Sequence, residues 1–190
     1  MENGKILMNN LKEINVKGHF ENDDYVFFWG GPFSNWHKCK VPMFVNSHGI
    51  MEFNCVEQAF MYFKAIEFSD PVTAAKIYAE KNAKAQKQLG RQIIGFKQER
   101  WDLVKQQIMF KCCLQKFIYN DDLRRILFVT RDKMICESSP KDLVWGNGLH
   151  ISDPNILDKS KWPGQNLLGK CLIRVREYLR DTIYLIDYEA

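Results

Sequence analysis

No stretch of this chain approaches the ~20 consecutive apolar residues that a membrane-spanning helix needs. Its opening, MENGKILMNNLKEIN, lacks the apolar core of a secretory leader. The expectation is a soluble, cytoplasmic protein with no membrane association. Charge of one sign is also scarce: 27 Lys+Arg stand against 23 Asp+Glu, a formal net charge of +4. That excess suits a phosphate-bearing ligand but falls short of the concentrated basic stripe that duplex DNA requires. There is no internal repeat, low-complexity tract or linker, and 190 residues suit one domain of roughly 100–200 residues. Missing too are G-x-G-x-x-G, a Walker loop, H-E-x-x-H and G-x-S-x-G, the signatures of dinucleotide binding, P-loop chemistry, zinc proteases and serine hydrolases.

Cysteine is present six times, at 39, 55, 112, 113, 136 and 171. Without a leader, and in a chain long enough to bury a core, these read as reduced thiols rather than a disulfide framework. A metal set of His37, Cys39, His48 and Cys55 fits no structural zinc spacing. Neither a metal nor a cofactor is expected.

Local pattern predicts a mainly helical α+β domain with a small β-sheet or hairpin over residues 25–182. A polar segment (1–24) precedes it and a short tail (183–190) follows. Residues 25–29 (YVFFW) are β-prone and closed by Gly30-Gly31-Pro32; 40–45 and 50–53 form a hairpin through the turn 46–49. Helices are expected from Asn54 to about Phe68, once or twice within 71–89, over 98–117 and over 120–130. Residues 133–136 read as a strand and 138–165 as a long loop, of the kind that is usually functional or disordered. A final amphipathic helix is expected over 167–179 and an edge strand over 183–186.

Four stretches carry residue types that a packed core does not explain: 31–36 (GPFSNW), 54–64 (NCVEQAFMYFK), the segment around Trp101, and 142–149 with 164–170. Glu57, Phe60 and Lys64 stand at i, i+3 and i+7, placing a carboxylate, a ring and an ammonium on one helical face. The same residues admit a structural reading, a capping box in which Asn54 caps the helix and Glu57 bonds back to the Asn54 N–H. Asp142 offers a second carboxylate and Trp145 a stacking platform, while Gly146 and Gly148 let backbone come close to a ligand. The plain alternative there is an Asp-initiated turn with Trp145 in the core. Trp101 offers a ligand contact, though a tryptophan there is more often a core residue at a helix start. Phe33, Ser34 and Asn35 form a turn or a ligand loop. Gly164-Gln165-Asn166 leads into a helix whose free N–H groups suit a phosphate.

Taken in order, FFWGGPFSNW (27–36), FNCVEQAFMYFKA (53–65), LGRQIIGF (89–96), ERWDLVKQQIM (99–109), SPKDLVWGNGL (139–149) and GQNLLGKCLIRVRE (164–177) resemble the NADAR superfamily and its YbiA-like N-glycosidases. The resemblance implies a mainly helical α+β fold and a site for ADP-ribose-like or phosphoribosyl ligands. It implies that Glu57, Trp101 and Asp142 matter for activity. They stand at the family's Glu of the E-Q/H-x-F helix, its Trp opening a later helix and its Asp ahead of W-G. Asn147 stands where some relatives carry Asp or an aliphatic residue.

Hydrolysis of an N-glycosidic bond needs an oxocarbenium-like sugar stabilised and a water activated, work that suits two carboxylates. On this expectation Glu57 or Asp142 is the base and the other orients ribose hydroxyls. Trp101 and Trp145 wall the ligand; Lys64, Arg91 and Asn166 meet phosphate or ribose; Phe33, Ser34, Asn35, Phe60, Gly146 and Asn147 complete the contacts. Family precedent implies aminopyrimidine ribosides of riboflavin synthesis, or ADP-ribose on a guanine base, which would make ADP-ribosylated nucleic acid a partner. The rival reading is a module that holds NAD or ADP-ribose without turning it over.

Overall fold

Asn22 makes the first turn: its Oδ1 accepts from the backbone N–H groups of Asp24 and Tyr25 at 3.0 and 2.8 Å. Asparagine does this because its short side chain mimics a backbone turn. In the computed structural model, residues 19–46 and 48–189 are described, with side chains to residue 182. In chain order the elements are β1 (His19–Glu21), β2 (Tyr25–Phe28), β3 (Val41–Val45), β4 (Gly49–Phe53), α1 (Val56–Glu67), α2 (Pro71–Ala79), α3 (Ala83–Leu89), α4 (Gln98–Ile118), α5 (Asp121–Val129), β5 (Met134–Glu137) and α6 (Leu167–Glu189). Short 3-10 turns occupy Gly31–Phe33 and Lys159–Lys161. The α+β class is as expected. The chain divides into two compact units, one made of the residues up to Ser34 with those from Asp122 onward, the other of Asn35–Asp121.

The first unit is built on a three-stranded sheet of order β1-β2-β5. β1 pairs antiparallel with β2, Phe20 opposite Phe27, and β2 pairs parallel with β5 from Tyr25–Met134 to Phe28–Glu137. β1 lies inside the stretch expected to be an accessory segment; the expectation for 1–18 falls outside the described residues. Val26, Phe27 and Phe28 are all buried, as befits a central strand covered on both faces. α6 packs on β5, and buried Arg176 donates from Nη1 to the Thr130 hydroxyl (2.7 Å) and the Lys133 carbonyl (2.9 Å). The edge strand expected over 183–186 is corrected: α6 continues through it to Glu189. Neither Gly nor Pro falls between Lys170 and Glu189, and the Thr182 hydroxyl turns back onto the Tyr178 carbonyl at 2.7 Å.

The second unit combines the β3–β4 hairpin with α1–α4. Val41, Met43 and Val45 alternate inward, while Phe44 and Ile50, paired across the strands, face outward. α1 packs against α2, α3 and α4. Phe53, fully buried, meets the rings of Tyr62 and Tyr78 at 5.1 and 5.4 Å. Asp70 caps α2, its Oδ1 accepting the Thr73 N–H and its Oδ2 the Ile94 N–H, both at 3.0 Å. Those two bonds hold its carboxyl below the usual range.

Candidate functional site

α1 begins one residue later than a capping box at Asn54 requires. Cys55 is the N-cap residue, with extended backbone and no side-chain cap. Gln58 reaches back past the N-cap instead: its Oε1 accepts the Asn54 N–H at 2.7 Å, while its Nε2 donates to the carbonyls of Ile77, Tyr78 and Glu80 at 3.1, 2.8 and 2.9 Å. The capping reading of Glu57 is thereby corrected. With Val56 as the first helical residue, the third position, which reaches back, belongs to Gln58.

Glu57 is only 4% exposed. Its backbone N–H donates to the Asn35 carbonyl at 2.9 Å, and its Oε2 accepts from the Trp36 indole Nε1 at 3.3 Å. A buried carboxylate is costly unless hydrogen-bonded or paired, so this contact matters. Asn35 presents Nδ2 to the Met109 sulfur at 3.6 Å, and its buried Oδ1 has no hydrogen-bond partner among the described residues. The neighbouring Cys55 is held as the thiol rather than the thiolate. Burial pushes its thiol up to about 11, and it donates to Gln86 Oε1 at 3.4 Å.

One and two turns further along the same face lie Phe60 and Lys64. Phe60 packs on Trp101 with ring centroids 5.1 Å apart; Phe68 lies 6.5 Å from Trp101 and 5.1 Å from Phe96. At 7% exposure, Trp101 is a member of this aromatic cluster. Lys64 Nζ donates to the Gly90 carbonyl at 2.9 Å and lies 4.2 Å from the Phe96 ring centroid and 5.5 Å from that of Trp101. Burial pushes its ammonium below the ordinary lysine value and the Arg91 cation adds to this, while the Glu57 charge opposes both. Arg91 is exposed. Asn35, Glu57, Phe60, Lys64, Arg91 and Trp101 thus belong to the second unit, with the charges of Glu57 and Arg91 each within electrostatic reach of Lys64.

The remaining candidates belong to the first unit. Phe33 is buried with its ring 5.6 Å from that of Phe28, and Ser34 closes the 3-10 turn by donating its N–H to the Gly31 carbonyl at 3.1 Å. Asp142 Oδ1 accepts the N–H groups of Val144 and Trp145 at 3.1 and 2.9 Å, the geometry of an Asp-initiated turn. Trp145 is half-buried, its carbonyl accepting the Leu168 N–H at 3.0 Å. The glycines allow close approach, and what approaches is the protein's own chain. A Cβ at Gly146 would lie 2.9 Å from the Asp142 carbonyl oxygen, one at Gly148 2.6 Å from Pro163 Cγ, and one at Gly164 against the Gly146 carbonyl. Buried Asn166 spends its amide on β5, Oδ1 accepting the Glu137 N–H and Nδ2 donating to the Ile135 carbonyl, both at 3.0 Å. Asn147 is fully buried; its Oδ1 accepts the Leu149 N–H at 3.0 Å and its Nδ2 has no hydrogen-bond partner among the described residues.

A separate open cavity of about 560 Å³ in the second unit is lined by Lys38, Cys39, Glu52, Phe53, Asn54, Gln58, Tyr78 and Lys81. Glu57, Phe60, Lys64 and Trp101 do not line it, and its buried amide, Gln58, is saturated by the hydrogen bonds above. Gln58 and Trp36 lie in stretches singled out from the sequence, yet the sequence assigns neither a role of its own. The first bonds Asn54, four positions back, one more than the capping-box spacing. The second ends the 31–36 run, but no spacing rule links position 36 to position 57.

Against known proteins, residues 27–180 match the NADAR domain. The chain is 39% identical over 132 residues to Protein irg-1 of Caenorhabditis elegans, a match covering 68% of this chain and 62% of that protein, so it spans about three-fifths of the worm protein. It is 36% identical over 165 residues to N-glycosidase R617 of Acanthamoeba polyphaga mimivirus, covering 83% of this chain and 97% of that one. The NMR structure of the E. coli protein YbiA superposes with a TM-score of 0.67 at 24% identity, over 89% of this chain and 92% of that chain, which shows the shared fold. With most of its length matched to that one domain, this chain belongs to the NADAR domain family.

Proposed function

We propose that this NADAR chain is an N-glycosidase that hydrolyses the bond between C1′ of a phosphoribosyl or ADP-ribosyl group and a base nitrogen. The observation that carries the reading is Glu57, a buried carboxylate released from helix capping, bonded to Trp36 and sharing a helical face with Phe60 and Lys64. The similarity to the mimiviral N-glycosidase R617 supports the reaction class. In the reaction the C1′–N bond breaks and the base leaves with the electron pair, taking a proton. Water adds its oxygen to C1′ and gives up a proton, so one water is consumed. Glu57 fits the base that takes this proton, and its charge offsets the positive charge that develops on the sugar. Lys64 and Arg91 supply positive charge for a phosphate. The share of Asp142 in activity rests on the family resemblance, since its Oδ1 is engaged in a turn.

The test is release of free base, followed by mass spectrometry, from ADP-ribosylated guanosine and from a phosphoribosyl aminopyrimidine. Wild type releases base from at least one. Glu57→Gln loses about 10²-fold or more in kcat with an unchanged unfolding midpoint, because the capping bonds do not involve this carboxylate and a glutamine oxygen still accepts from Trp36. Wild-type turnover in Glu57→Gln overturns the assignment of Glu57. ADP-ribose binding without base release from either substrate overturns the enzyme in favour of a reader.

A further inference from the structure

We infer that Trp36 is a positioning residue that holds the Glu57 carboxylate through its indole N–H, an inference that rests on the proposed role of Glu57. Two successive residues, Asn35 and Trp36, grip Glu57 at both ends, the Asn35 carbonyl taking its backbone N–H at 2.9 Å and Trp36 Nε1 donating to its Oε2 at 3.3 Å. The exposures run opposite to what packing alone produces. The large apolar ring of Trp36 is 45% exposed, while the carboxylate it meets is 4% exposed. A tryptophan anchored for burial would hide its ring. Here its one polar atom is turned to a buried acceptor and much of the ring is left in solvent.

The indole nitrogen is a donor only, so the contact requires an acceptor and is stronger to an ionised carboxylate than to a neutral group. The glutamate side chain has three rotatable bonds; a fixed donor on one oxygen selects one rotamer and leaves the direction of the other oxygen defined. Misplacing a reacting group by about 1 Å costs on the order of 10²-fold in rate. One hydrogen bond from a neutral donor to this carboxylate is expected to hold back a smaller part of that.

The test is Trp36→Phe, which keeps an aromatic ring and removes the N–H. kcat for base release falls about tenfold or more while KM stays within about twofold and the unfolding midpoint is retained. Unchanged kcat, or a loss carried by KM alone, overturns the positioning role and leaves Trp36 a wall of the site. A second measurement does not depend on turnover. In the 1H–15N spectrum of wild type, the indole resonance missing from Trp36→Phe is that of Trp36, and it shifts in Glu57→Gln. No shift overturns the contact itself. If wild type releases no base, the proposed function fails, and this spectrum still decides whether Trp36 and Glu57 are coupled.

Discussion

Lys64 is held at its ammonium by the Gly90 carbonyl and over the Phe96 ring, in a setting that works against its charge. Because burial and Arg91 lower its folded pKa below the unfolded value of about 10.4, the cost of charging it is fully present at neutral pH. That cost is relieved as pH climbs from the folded to the unfolded value, so this group makes stability rise with pH in that window. Lys64→Met keeps a flexible apolar stem among the rings and removes the cost. Compared with wild type, its unfolding midpoint is therefore most favourable at pH 7 and loses ground by about pH 10.5. If Lys64 also serves a phosphate, the same variant weakens ADP-ribose binding about tenfold by calorimetry. At this scale the sequence was informative about which residues share a face, since i, i+3 and i+7 place Glu57, Phe60 and Lys64 together wherever the helix begins. It was silent about Trp36, whose bond to Glu57 spans 21 positions and a hairpin, and about Asn166, whose amide is absorbed by a strand 29 positions away.

Elements are fixed by a few saturated side chains. Gln58 makes four hydrogen bonds to backbone groups of the chain before α1 and the end of α2, and it is 2% exposed. Gln58→Leu leaves an N–H and three carbonyls without this partner. It is expected to destabilise the protein by about 3 kcal/mol, read from the midpoint of urea unfolding, whereas Glu57→Gln one position earlier leaves that midpoint where it was. The helices and the hairpin were legible because each carries its own period and stop signals. β1 was not, since three residues cannot display alternation, and 183–186 misled because a run of β-prone side chains is also compatible with the end of a helix that nothing interrupts.

At the scale of the whole chain, β2 and β5 pair in parallel although more than 100 residues separate them, and all of Asn35–Asp121 lies in that connection. Parallel pairing has no local signature beyond two short apolar runs, so the division into two units could not be read from the sequence. The net charge of +4 is small, yet it bears on the choice of substrate. If the ADP-ribose is presented on nucleic acid, affinity for a single-stranded ADP-ribosylated oligonucleotide falls as salt is raised from 50 to 200 mM, with a log–log slope of about −0.7 for each phosphate neutralised. Free ADP-ribosyl guanosine falls much less, and equal slopes remove the polynucleotide from consideration. The interlocked glycines of the first unit carry a different consequence. At Gly146, Gly148 and Gly164 a single added carbon meets another part of the chain, so these sites admit no side chain without displacing a neighbouring segment. In a saturation library scored for abundance, they should stand out as columns depleted for all nineteen replacements, alanine included. The solvent-facing positions of 150–158 should accept most residues, giving a tolerance boundary within one continuous irregular segment.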